Sequence, residues 1–148
     1  MTRTPRRVAT IAALTACLSI TLLPAAQART PNYSWQMFQE TNSTRAHHST
    51  GRLDRAHRLE AIATRHARAM AHRGGLFHSS GPSRYGVRCR SWGENVGYTT
   101  GDVDDLQRAF MRSPSHRTHV LDRSFDRVAI GSATDDSGRL YVTLFFCT

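Results

Sequence analysis

The chain has 148 residues, 39% hydrophobic and 21% charged, with a formal net charge of +9. That length suits one domain, large enough to bury a core without metal staples. Its 20 basic residues are all arginines; they are spread along the chain with no interleaved aromatic–basic pattern and no DNA-binding motif, which excludes nucleic acid as the expected partner.

Residues 1–28 read as a secretory signal peptide. Arg3, Arg6 and Arg7 supply a positive start, residues 8–23 are apolar apart from Thr and Ser, and Ala26-Gln27-Ala28 forms an A-x-A site before Arg29. Cleavage after Ala28 would send the protein out of the cell with no transmembrane anchor. Leu14-Thr15-Ala16-Cys17 resembles a lipobox. Apolar residues continue well past Cys17, however, so lipidation ranks behind plain secretion. Arg6-Arg7 fits a twin-arginine signal poorly. Without the three leading arginines the net charge falls from +9 to +6, which favours anionic partners such as wall polymers or phospholipid head groups.

Residues 29–34 form a short leader and 35–148 the domain. A first helix is expected over about 35–45, followed by a polar connector that ends near Gly51. Asp54 is placed to cap the next helix, in which Leu59, Ile62, Ala63, His66, Ala67 and Met70 recur every three to four residues. Arg55, Arg58, Arg65 and Arg68 fall on its other faces, and Gly74-Gly75 ends it. Residues 76–101 read as loop-rich, with a short strand over 87–90 and an irregular stretch over 94–100. Asp102 caps a helix to about Met111, with Val103, Leu106, Ala109 and Phe110 on its buried side and Pro114 as its stop.

The last third reads as β: a strand over 127–134, a turn at Asp135-Asp136-Ser137-Gly138, and a strand over 139–147. In the final strand Leu140, Val142, Leu144 and Phe146 alternate with Tyr141 and Phe145, so both faces are apolar. Such a strand belongs at the centre of a sheet covered on both sides, which makes the fold class α/β, a three-layer α-β-α sandwich. After cleavage only Cys89 and Cys147 remain. In an exported protein an even pair reads as a disulfide. Closing a loop of roughly 60 residues is worth about 4 kcal/mol in the chain-entropy model.

Two histidines and one carboxylate sit in small Gly/Ser/Pro-framed segments: Phe77-His78-Ser79, Gly93-Glu94-Asn95 and Ser113-Pro114-Ser115-His116-Arg117. An imidazole titrates near neutral pH and ligates metals when neutral; a carboxylate can orient it or share a metal with it. Their spacing is too wide for a local zinc motif, so the fold must bring them together. Taken with Leu59, Ala67-Arg68-Ala69-Met70, Val120-Leu121, Val128-Ala129-Ile130-Gly131 and the final strand, the order and spacing resemble a bacterial CAP-domain protein. That family takes its name from cysteine-rich secretory proteins, antigen 5 and pathogenesis-related 1 proteins. The resemblance covers about 35–147.

It implies an α-β-α sandwich whose cleft holds two histidines and acidic residues, in some members around a divalent metal. Carried over by position, the cleft residues are His78, Glu94 and His116. Ser113 stands where many eukaryotic members have a second glutamate, Phe110 where tryptophan is usual, and His119 where bacterial relatives often have asparagine. With one acid for two imidazoles, Zn²⁺ or another divalent metal on His78, His116 and Glu94 is expected to bind weakly.

Each residue also has a plainer role. His78 can bond a carbonyl, His116 can orient a turn, and Glu94 can form a structural ion pair. His66 reads as a packed core histidine, and His47, His48, His57 and His72 as solvated. Ser113 and Ser115 lack the elbow and third member of a serine hydrolase. The leading expectation is a secreted, monomeric, non-enzymatic module that binds an extracellular ligand: a lipid, a wall polymer or a protein. The alternative is a divalent-metal-assisted hydrolase that uses the same cleft.

Overall fold

The structure, a computed structural model, describes residues 32–148. The expected signal peptide, its expected cleavage site and Cys17 lie outside them, as do residues 29–31 of the leader. Helix α1 (Tyr33–His47) is followed by the short strand β1 (Asp54–Arg55), α2 (His57–Arg73), a 3₁₀ turn (Pro82–Tyr85) and β2 (Trp92–Thr99). Then come α3 (Val103–Arg112), α4 (Pro114–Leu121), β3 (Arg127–Thr134) and β4 (Leu140–Cys147).

The sheet order is β1-β3-β4-β2, with β4 antiparallel to both β3 and β2, and β1 parallel to β3. Every residue of β4 is buried, as its two apolar faces require. Leu140, Val142, Leu144 and Phe146 point into a core shared with Met37, Phe38, Leu106, Phe110 and Val120 from α1, α3 and α4. The opposite face meets α2: Phe145 packs with Leu59, Ile62 and Ala63, and Tyr141 with Met70. Three layers result, α1/α3/α4, sheet, and α2. The disulfide links Cys89 to Cys147 with 5.4 Å between their Cα atoms, and so ties the loop before β2 to the end of β4.

Helix α2 ends where the glycines predict, at Gly74 in the left-handed conformation (φ 68°). Its start differs from expectation. Asp54 caps nothing; its N–H bonds the Asp126 carbonyl at 2.8 Å, so the chain is extended along β3 before turning helical at His57. Ala56 holds the cap position without a side-chain bond.

The expected strand over 87–90 is absent, and the stretch over 94–100 read as irregular falls, up to Thr99, in the eight-residue strand β2. Gly93 and Gly97 obscured it. They are strand residues without side chains because neighbours occupy that space: a Cβ on Gly97 would lie 2.8 Å from Leu106 and 2.9 Å from Phe110. Pro114 does end α3, yet it also opens α4, a helix the sequence reading missed. A proline is well suited to a first helical turn, where its missing N–H has no partner to lose. On α3, Asp102 caps as expected, accepting from the Asp105 N–H at 2.8 Å. Ala109, expected on the buried side, is exposed, and Gln107 is buried in its place, donating to the Thr44 hydroxyl at 3.0 Å.

Candidate functional site

β2 lies at the sheet edge, so side chains from both of its faces can reach one opening. Successive strand residues point to opposite faces: Glu94, paired with Phe145, faces the α2 layer, and Asn95, paired with Leu144, faces the other. The Glu94 carboxylate is almost wholly buried (side chain 2% exposed) while His78 is 61% exposed. A carboxylate removed from water needs strong donors. Its Oε2 accepts from His78 Nδ1 at 2.7 Å and from the Ser79 backbone N–H at 2.9 Å. Because Nδ1 is the donor, the exposed His78 ring presents Nε2 outward. Oε1 is buried without a hydrogen-bond partner, and its closest ion-pairing group is His66 Nε2 at 3.6 Å. That nitrogen donates instead to the Phe77 carbonyl at 2.8 Å, which holds the His78 loop against α2.

On the other face Asn95 clamps α4. Its Nδ2 donates to the His116 carbonyl at 3.0 Å, and its Oδ1 accepts from His119 Nδ1 at 2.9 Å. The His119 ring lies over Gly93, where a Cβ would sit 2.7 Å from it. His78, Trp92, Gly93, Glu94 and His119 line an open cleft of about 230 Å³. Both cleft imidazoles are thus held through Nδ1 by an oxygen of β2.

His116 is set back from this group, its ring edge-on to Phe110 with centroids 5.1 Å apart. Burial holds it below the ordinary histidine range, and positive charge on His78 and His119 pushes the same way. Ser113 joins α3 to α4, its hydroxyl lies 3.2 Å from that of Ser115, and it does not line the cleft. His66, read as a core histidine, is buried and also reaches the carboxylate, and His119 and Asn95 were not selected. The available signal for His119 was its place one helical turn after His116; for Asn95 it was adjacency to Glu94.

The depressed His116 has a testable consequence. The unfolded chain binds its proton more readily than the folded one, so protonation favours unfolding. The stability is intact above the ordinary histidine range and falls as pH drops through it toward the lower folded-state value. His116→Gln should lose less melting temperature between pH 7 and pH 5 than the native protein. Thermal melts in chelator check this, and parallel losses would show that His116 is not the titrating group.

A family model described as the cysteine-rich secretory protein family (CAP) matches residues 38–148. Among solved structures, an extracellular protein containing an SCP domain from Bacillus anthracis is similar at 24% identity and a TM-score of 0.64, covering 78% of this chain and 40% of that one. A cysteine-rich secretory protein from Staphylococcus aureus gives 26% identity and 0.62, covering 84% and 40%. The chain therefore spans well under half of both relatives. NaASP2, solved with Zn²⁺, shares the fold at 14% identity and 0.56, covering 78% and 80%. No curated protein matches. With the family model covering three quarters of the sequence and the α-β-α layers in place, the chain belongs to the cysteine-rich secretory protein (CAP) family.

Proposed function

We propose that this protein is a secreted, non-enzymatic CAP module whose cleft between His78 and His119 binds an extracellular ligand. The observation that carries the reading is the buried Glu94 carboxylate, spent on fixing an exposed imidazole. Such an arrangement costs desolvation that a surface polar network does not require. Export is supported by the signal-peptide pattern of residues 1–28 and by the extracellular relative from Bacillus.

A divalent metal fits this cleft in part. Metal-bound histidines usually donate their second ring N–H to an oxygen, and His78 and His119 both do so, to Glu94 and Asn95. Glu94 is then an orienting group rather than a ligand. His116 packs on Phe110 and does not line the cleft. Among the described residues no set of three His, Cys, Asp or Glu side chains stands arranged around one point, so a two-imidazole site for Zn²⁺ is weak.

Calorimetric titration of the chelator-stripped protein with Zn²⁺ tests this. Weak binding is expected, reduced at least tenfold by His78→Ala and by His119→Ala and little changed by His116→Ala. Undiminished binding by the first two variants would place the metal elsewhere, for instance at His47-His48, and remove it from the cleft.

A second reading rests on the same dyad: an imidazole oriented by a buried carboxylate has the make-up of a general base. Hydrolysis of a model ester or peptide, abolished by His78→Ala, would favour it over pure binding.

A further inference from the structure

Trp92 is shared by two depressions. On one side it lines the histidine cleft; on the other it lines a larger groove of about 370 Å³ with Pro82, Val87, Arg88 and Arg90. The indole packs against Gly81, where a Cβ would sit 2.7 Å from the ring and where φ is +84°. Despite that contact the residue is 43% exposed. Glycine at 81 lets the ring lie close to the backbone, which makes Trp92 a supported platform rather than a loose side chain.

The groove wall is fixed as well. The 89–147 disulfide crosses it. The Arg90 N–H bonds the Thr148 carbonyl at 3.2 Å, and the Ser91 N–H bonds the Thr148 hydroxyl at 3.0 Å. Past Val87 and Cys147 the surface continues into a second depression of about 220 Å³ bearing Arg58 and Arg127. Arg127 pairs with Asp126, whereas Arg58, Arg88 and Arg90 make no ion pair among the described residues.

We infer that this surface binds an anionic polysaccharide, with a sugar ring stacked on Trp92 and acidic groups of successive rings met by Arg88, Arg90 and then Arg58. An indole face offers apolar contact to the C–H face of a sugar, and guanidinium forks match carboxylate oxygens in pairs. Single exposed charge contacts are weak, so a repeating polymer that engages several arginines and one aromatic platform is the occupant that gains most. A lipid surface is the poorer match, because Trp92 packs against Gly81 instead of projecting as an apolar ridge. The inference shares with the proposed function only the idea of an extracellular binding module; its site lies beside the cleft and needs neither histidine.

Polygalacturonate is the probe, with neutral dextran, polyglutamate and phosphatidylglycerol vesicles beside it. The sequence has two tryptophans, so a Trp35→Phe background leaves Trp92 as the only indole reporter. Polygalacturonate is expected to bind and shift the Trp92 emission, with dextran and polyglutamate at least tenfold weaker. Trp92→Ala should cost at least tenfold. The Arg88→Ala/Arg90→Ala double variant, altered only at exposed side chains, should cost as much and flatten the salt dependence. His119→Ala should bind polygalacturonate like the native protein while losing Zn²⁺. Equal binding of polyglutamate, unchanged affinity in the double variant, or tight vesicle binding without polygalacturonate binding would each overturn the inference. None of those outcomes touches the cleft, whose own test is the Zn²⁺ titration.

Discussion

Arg45→Met is expected to lower stability by about 3 kcal/mol or more, a loss that Arg45→Lys should recover only in small part. Arg45 lies at the end of α1 and is 1% exposed. Its guanidinium donates to four carbonyls: Gly51 at 2.6 Å, Val120 at 2.8 Å, Asp122 at 2.9 Å and Phe125 at 3.3 Å. Burial depresses its pKa, with the nearby Asp122 carboxylate opposing the shift. Methionine fills similar volume but leaves those acceptors without a donor, and the cost comes from those orphaned carbonyls more than from lost charge. Lysine keeps the charge, yet its single ammonium cannot reach four acceptors spread as a planar fork reaches them. Urea unfolding of the three proteins measures this; a Lys variant as stable as the native would show that charge, not fork geometry, is what the site uses.

The same arginine bears on the cleft. Two of its acceptors, Val120 and Asp122, are at the end of α4, the helix that carries His116 and His119. Asn95 grips that helix at the His116 carbonyl and the His119 ring, and Arg45 grips its far end. If the cleft binds Zn²⁺ as proposed, an Arg45 variant that still folds should bind it more weakly, although residue 45 does not line the cleft.

What could be read from the residues divides along physical lines. Strand β4 was legible because burial on both faces demands an unbroken apolar run, and α2 because one buried face gives a helical period. β2 was not, since the polar side chains of Glu94 and Asn95 and two glycines replace the apolar alternation that marks a strand. Gly93 is small so that His119 can lie against the sheet, and Gly97 so that Leu106 and Phe110 can. α4 was hidden by Pro114, which carries opposite meanings inside a helix and at its first turn.

His78 and Glu94 stood out by residue type and frame, and the structure pairs them. The role of His119 depends on the strand register that sets Asn95 opposite Glu94's face, a tertiary fact with no local mark. Arg45 shows the same limit: a charged residue in a helix reads as solvated until the loops whose carbonyls it collects are in place. The disulfide needed only compartment and parity, and Cys89 and Cys147 are joined.

Gly131→Ala should be nearly as damaging as the loss of Arg45, although it adds a single methyl group. Gly131 is the point on β3 where α2 comes closest: an added Cβ would overlap the backbone of Ala63 and Thr64. Backbone in the middle of a helix cannot rotate aside as a side chain can. The whole helix must therefore withdraw from the sheet, loosening Ala63 and Ala67, both fully buried, and the contact of Leu59 and Ile62 with Phe145. Overpacking usually costs about 1–3 kcal/mol, and a clash with backbone falls at or above the upper end. Gly51→Ala is the control, because its Cβ would meet nothing within 4 Å. There the reduced freedom of the unfolded chain should leave stability unchanged or raise it by up to about 1 kcal/mol. The displacement also has a functional reading. His66 rides on α2 and holds the Phe77 carbonyl next to His78, so retreat of the helix should weaken the proposed Zn²⁺ binding in any Gly131→Ala protein that folds. Equal unfolding midpoints for Gly131→Ala and the native chain would mean that this glycine does not set the spacing between helix and sheet.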